Sequence, residues 1–175
     1  MEFELERARE ILERTPGTLK TLLHGLSEDW VANNEGPETW SPIEVVAHLI
    51  HGEEVDWIPR ARIILEHGES LPFEPFDPQA FRGRDSVKGK GLPELLSTFE
   101  ELRAKNIATL ASMDLSGDQL ALHGAHPEFG HVTMAQLIAT WATHDLAHIV
   151  QIARAMAKQN DKAVGPWKTY LSVLK

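Results

Sequence analysis

Apolar residues recur along this chain in steps of three and four, the signature of amphipathic helices rather than strands. Residues 2 to 14 carry Phe3, Leu5, Ala8, Ile11 and Leu12 among charges. Thr15-Pro16 reads as a new start, threonine as N-cap and proline at the first helical position, with Leu19, Leu22, Leu23 and Leu26 as its apolar face. These two pieces are expected to form one interrupted arm. Residues 30 to 39, with Asn33, Asn34, Gly36 and Pro37, read as a loop. At Trp40-Ser-Pro-Ile-Glu44 the start signals converge: Ser41 as N-cap, Pro42 at the first position, Glu44 closing a capping box, and Trp40 against Val45 as a staple. The helix so opened is predicted to run past Val46, Leu49, Ile50, Val55, Ile58 and Ile64 to a stop at Gly68, bent partway by Pro59.

Residues 68 to 91 hold seven glycines and prolines, with Phe73, Phe76 and Phe81 among them, and are predicted to be a crossover loop pinned by its rings. A third long helix is expected from about Pro93 to Met113, facing inward with Leu95, Leu96, Phe99, Leu102, Ile107 and Leu110. Leu122 to His131 is turn-rich and carries His123, His126 and His131, which would rim a site or simply be solvated. Thr133 and Gln136 form another capping box, opening a helix that ends near Lys158. Gly165-Pro166-Trp167 begins a short last helix expected to dock Tyr170, Leu171 and Leu174. No run alternates convincingly enough for a strand. The pattern predicts a single all-α domain over residues 1–175, a four-helix bundle with a long crossover between its second and third helices.

The final long helix contains Trp141-Ala-Thr-His-Asp-Leu-Ala-His-Ile-Val-Gln151. Its histidines, His144 and His148, stand four residues apart, a rotation of about 400° and a rise of roughly 6 Å, so both imidazoles face one way. Nine histidines placed at random would produce about 0.4 such pairs, so placement matters more than spacing. Met134, Leu137, Trp141, His144, His148, Gln151 and Ala155 form one seam of three-and-four steps. Polar groups there cost about 1–3 kcal/mol each unless satisfied. A lone core histidine bonded to a neighbouring helix explains one of them, but a pair asks for a third partner. His48 lies on the seam of the second helix and is the candidate. In that helix Gly52, about 1 kcal/mol worse than alanine, leaves room for a ligand or a close neighbour.

Composition narrows the chemistry. The 175 residues contain no cysteine, which excludes disulfides, thiolate metal sites and a protein thiol nucleophile and leaves histidine and carboxylate as ligands. A net charge of −9 and a pI near 5.4 argue against nucleic acid and anionic membrane as partners. The start, Met1-Glu-Phe-Glu-Leu-Glu-Arg7, is acidic where a leader would be basic and then apolar, and no apolar run is long enough to span a bilayer. A cytoplasmic protein acting on a small molecule is the expectation.

The motifs Trp40-Ser-Pro with His48-Leu, and His144-Asp-Leu-Ala-His148-Ile-Val-Gln151, in this order and separation, resemble the DinB/YfiT-like family of metalloenzymes. The likeness spans almost the whole chain. It implies a four-helix bundle, often a homodimer, with a divalent metal held by the residues matching the family pattern, His48, His144 and His148. Some relatives are thiol S-transferases using bacillithiol, some are mycothiol-dependent isomerases, and many have no known activity. Three imidazoles accept zinc, nickel, iron or manganese and leave coordination positions open, the arrangement expected of catalysis. The first reading is therefore a transferase that activates a low-molecular-weight thiol. Its alternatives are a hydrolase using metal-bound hydroxide and a non-catalytic bundle stabilised by its metal. Gln151, one turn beyond His148, is placed to orient the bound water or thiol. Around the ligands, His51 approaches the site edge, and Asp145, rotated away by about 100°, would either hold a ligand's ring N–H or enter a surface or interhelical pair. Glu53, Glu54 and Asp56 read as a solvated acidic face.

Overall fold

A computed structural model describes residues 3–175. The predicted helix start at residue 2 and the reading of Met1 and Glu2 as part of a non-leader lie outside the described residues. Helix α1 (Leu5–Leu23) is continuous, which corrects the expected interruption at Thr15-Pro16. Thr15 does not cap; its hydroxyl donates back to the Ile11 carbonyl at 3.0 Å. Pro16 has no N–H for the Leu12 carbonyl, a defect worth about 3 kcal/mol inside a helix. Arg103 supplies the missing donor, its Nη1 reaching Leu12 O at 2.8 Å.

A short helix α2 (Glu28–Ala32) occupies the start of the stretch read as loop. The second long helix is two, α3 (Pro42–Val55) and α4 (Trp57–His67), separated at Asp56. Pro59 sits three residues past that break, where it cannot donate to the Val55 carbonyl, so bend and proline coincide as expected. Both capping boxes are present. Ser41 N donates to Glu44 Oε2 at 3.0 Å, and at the other helix Thr133 N donates to Gln136 Oε1 at 2.8 Å while Gln136 N donates to Thr133 Oγ1 at 3.1 Å. Gly68, at φ 56°, ends α4 in a conformation that favours glycine.

Helix α5 (Leu92–Ser112) follows the crossover, then the single turn α6 (Gly117–Leu120), and helix α7 (Met134–Lys158) closes the bundle. The long helices meet in a ring, α1 on α5, α5 on α3, α3 on α7 and α7 on α1. Two apolar clusters fill it, one around Leu12, Ile64, Leu110 and Trp141, the other around Leu19, Ile50, Phe99 and Ile152. This four-helix bundle matches the predicted fold class.

Two expectations fail outside the bundle. The turn-rich histidine segment is an antiparallel hairpin, β1 (His123–His126) paired with β2 (Gly130–Thr133), His123 opposite Thr133 and His126 opposite Gly130. Its strands are too short and too polar to show alternation. The crossover loop holds it, Phe73 N donating to Ala125 O at 2.9 Å. The last segment is a 3-10 turn at Gly165–Tyr170 and a second at Ser172–Leu174; Tyr170 and Leu171 stay 81% and 37% exposed instead of docking, while Leu174 is half-buried where the final turn meets α7. No described helix is long and apolar enough to cross a membrane.

Candidate metal centre

Three of the four polar positions singled out on the seams converge. His48 from α3 and His144 and His148 from α7 bring one ring nitrogen each within 4.8 Å of one another. The Nε2 of His144 lies 3.1 Å from that of His48 and 3.0 Å from that of His148. Nitrogens bound at about 2.0–2.1 Å to a shared ion stand about 3–3.5 Å apart.

The outward nitrogens decide where the protons sit. His48 Nδ1 faces the Pro78 carbonyl at 3.3 Å, and His148 Nδ1 faces Gln151 Oε1 at 2.7 Å. Both oxygens only accept, so both Nδ1 atoms carry the proton and both Nε2 lone pairs point into the centre. His144 cannot satisfy two lone pairs with one N–H, and its own Nδ1 is buried without a hydrogen-bond partner. A cation resolves what a proton cannot: three neutral imidazoles facing one point fit a divalent metal ion.

Burial is the main reason these rings stay neutral. It lowers His48 from 6.5 to about 4, with His148 adding to the effect, and lowers His144 to about 2, with His148 and His48 adding. His148 is lowered as well, again by burial, while its bond to Gln151 pulls the other way. Aromatic packing fixes the rings from outside. Trp40 lies over His48 at 4.6 Å and over His148 at 6.1 Å between centroids, and Phe76 and Phe81 meet His48 edge-on. Trp40 is thus a wall of the site, a use the staple reading missed.

Gln151 spends its Oε1 on His148 Nδ1, so only its amide N–H groups remain to meet a water or thiol. His51 approaches the edge but is fully engaged: its Nε2 donates to Asp77 O at 3.1 Å and its Nδ1 accepts from Arg84 Nε at 2.7 Å. Its ring stacks on Phe76, which in turn meets His48, and the charge of His51 adds to the lowering of His48, so it acts on the centre without facing it.

Asp145 is 0% exposed and holds no ligand ring. Arg103 on α5 takes both its oxygens, at 2.6 and 3.0 Å, and also donates to Glu53 Oε1 at 2.8 Å. Asn106 and the Trp141 indole complete the shell of Glu53, at 3.0 and 3.0 Å. Asp145 thus lies on the buried face of α7, and the two histidines lie together on one flank of that face, half-buried. This corrects both the assumed seam and the reading of residues 53 to 56 as solvated. Glu53 and Asp56 are buried, and Glu54 pairs with Arg84 at 2.9 Å. Burial pushes Glu53 up, and Arg103 draws it part of the way back; the same burial would lower Arg103, but its two carboxylates outweigh it and raise it. The signal was in the sequence. Phe99, Arg103, Asn106 and Leu110 keep the three-and-four spacing of an inner face, and a lone arginine there demands buried carboxylates.

Gly52 leaves its space to a neighbour: an added Cβ would lie 3.1 Å from the Trp57 indole nitrogen. Trp57 in turn meets His144 edge-on at 5.1 Å and stacks on Trp141 at 5.8 Å.

Residues 11–152 match the family model described as the DinB superfamily. The fold is similar to that of YfiT from Bacillus subtilis, whose structure is titled as a probable metal-dependent hydrolase with an unusual four-helix bundle topology. The superposition has a TM-score of 0.75 at 20% identity, covering 89% of this chain and 87% of that one. No curated protein matches the chain.

Proposed function

The chain belongs to the DinB superfamily, and on that premise we propose that it is a divalent-metal-dependent hydrolase whose ion is held by the Nε2 atoms of His48, His144 and His148. The observation that carries this reading is the pair of outward acceptors, Pro78 O and Gln151 Oε1, which turn two imidazole lone pairs toward the third ring. An ion bound by three protein nitrogens keeps a position open and lowers the pKa of a water there toward about 7. The side chains do the remaining work. The neutral histidines need shed no proton to bind metal near pH 7, Trp40 shields one side from bulk water, and the Arg103 cluster holds α7 in the rotation that aims His144 and His148. Water as nucleophile needs no second substrate, and the similar YfiT is described as a probable metal-dependent hydrolase. Hydrolysis is therefore placed ahead of the thiol transfer that the sequence suggested first.

Thiol transfer is kept as the second reading because of one feature. Beside Gln151 a polar depression of about 500 Å³, bordered by Trp40, Gln79, Glu35 and Arg154, offers room for a polar cosubstrate next to the centre. A homodimer belongs to the same proposal, since α7 exposes Leu146 and Val150 on its outer side; sedimentation velocity decides it.

The test is elemental analysis of purified protein and of His48→Ala, His144→Ala and His148→Ala, with turnover measured on neutral ester and amide panels with and without an added small thiol. One bound ion per chain, lost in the variants together with thiol-independent turnover, is expected. Turnover only with thiol selects the second reading, and metal that raises Tm without any turnover refutes both.

A further inference from the structure

His144 is the ligand that also faces a cavity. A hollow of about 240 Å³ opens between α4, the crossover loop, the hairpin and α7, and His144 lines it together with Trp57, Phe73, Phe76 and Phe129. A 150 Å³ apolar cavity is known to take benzene, so this one has space for about one aromatic ring and several further atoms. Its walls carry no net charge near neutrality. The two charged residues at the rim, Asp56 and Arg60, neutralise each other at 2.6 Å, and Arg60 spends Nη2 on the Glu74 carbonyl at 3.2 Å. His126, the remaining titratable neighbour, is held neutral by burial and by the nearness of Arg60.

The outer wall is built. Phe129 is 70% exposed, which is costly for a phenylalanine at a hairpin turn, yet it is not loose. Its ring stacks on His126 at 4.4 Å, and the backbone N–H groups of Glu128 and Phe129 both donate to His126 Nδ1, at 3.2 and 3.3 Å. Arg60 crosses the Phe73 ring at 5.1 Å, fixing the opposite wall. Gln136 and Thr140 supply the polar groups near His144. An apolar enclosure with a few convergent polar groups is the usual form of a small-molecule site.

We propose that this cavity selects the substrate: an uncharged small molecule carrying a single aromatic ring beside an ester or amide bond, with the ring among Trp57, Phe73, Phe76 and Phe129 and the bond at the His144 end. The assignment of a substrate rests on the hydrolase reading above. In the reaction, the acyl carbon–oxygen or carbon–nitrogen bond breaks, water's hydroxyl ends on the acyl carbon, and its proton ends on the leaving group. No oxidant or further reactant is required.

The probes are acetophenone, neutral and not hydrolysable, and benzoate, similar in size but anionic. Binding to the metal-loaded protein is followed by NMR at the Trp57 indole N–H, identified with Trp57→Phe. Saturable acetophenone binding is expected, with benzoate at least tenfold weaker. Val132→Trp, which fills the cavity from half-buried β2, should weaken acetophenone at least tenfold at unchanged metal content, and Phe129→Ala, at an exposed site that cannot unfold the bundle, should weaken it about fivefold. No saturable shift, equal benzoate binding, or indifference to both variants overturns the cavity assignment even if esters are hydrolysed. Saturable binding without turnover of phenyl esters upholds the cavity as a ligand site and removes the hydrolase reading instead.

Discussion

Replacing Gln151 by leucine separates two roles for that residue. The sequence places its side chain to orient a bound water or thiol, so the variant would lose activity at unchanged metal affinity. In the structure its Oε1 accepts from His148 Nδ1 at 2.7 Å, so the loss should appear in metal binding itself. Leucine leaves His148 with an unsatisfied Nδ1–H, a cost of about 1–3 kcal/mol. The ring can escape that cost by moving its proton to Nε2, but this removes the lone pair facing His144 at 3.0 Å. Either way one of three ligands must be repaid on binding. The expected loss is about 10–100-fold in metal affinity, or about 1.4–2.7 kcal/mol. The assay is competition for Zn²⁺ or Ni²⁺ against a chromophoric chelator at pH 7, with the metal-free Tm as control for folding. Gln151→Glu keeps an acceptor and should bind metal at least as tightly as the native chain. An affinity of the leucine variant within twofold of native, with the fold intact, would refute the argument that this bond sets the tautomer.

Three further outcomes follow from packing and charge. Arg103→Met strands Glu53 and Asp145 without their cation and frees the Leu12 carbonyl; a loss of about 3–5 kcal/mol is expected in urea unfolding, and a loss under about 1 kcal/mol would mean the cluster behaves like a surface pair. Burial lifts Asp56 from 3.8 to about 6, Arg60 offsetting only part. Between those values the folded protein holds a proton that the unfolded chain has released, so this group's contribution to stability falls as pH rises through the window, by about 3 kcal/mol. Asp56→Asn should therefore gain on the native protein by about that amount between pH 4 and pH 7 in urea titrations, and a difference that does not change with pH contradicts the assignment. Gly124→Ala sets a Cβ 2.6 Å from Phe73 Cζ and 2.8 Å from Ile64 Cγ1, an overpacking worth about 1–3 kcal/mol that also displaces the cavity wall; an unchanged Tm would show that Phe73 yields freely.

The spacing of apolar residues marked the stretches that build the four-helix bundle, because an amphipathic stripe must be buried against its neighbours, but it did not fix where α1 runs on or where α3 gives way to α4. Ser41 with Glu44, and Thr133 with Gln136, marked helix starts unaided, since a capping box is closed by residues three apart. Pro16 misled for the same reason: read locally it starts a helix, and only Arg103, distant in sequence, makes it tolerable inside one. The hairpin at residues 123 to 133 escaped because its register rests on contacts with Phe73 and Ile64 rather than on its own alternation.

His48, His144 and His148 could be singled out from helical periodicity, which determines the face a side chain takes on its own helix to within about 100°. Periodicity does not determine how that helix is turned about its axis within the bundle. The burial of Asp145 against Arg103 does, and it carries the two α7 histidines to the edge of the core, where they meet His48 and line the cavity. The sequence by itself thus determined which residues have the chemistry and which elements bear them. The pairing of Gln151 with His148, the proton positions, and the aromatic hollow beside His144 were decided by tertiary contacts alone, because each depends on the separation of groups that no single helix brings together.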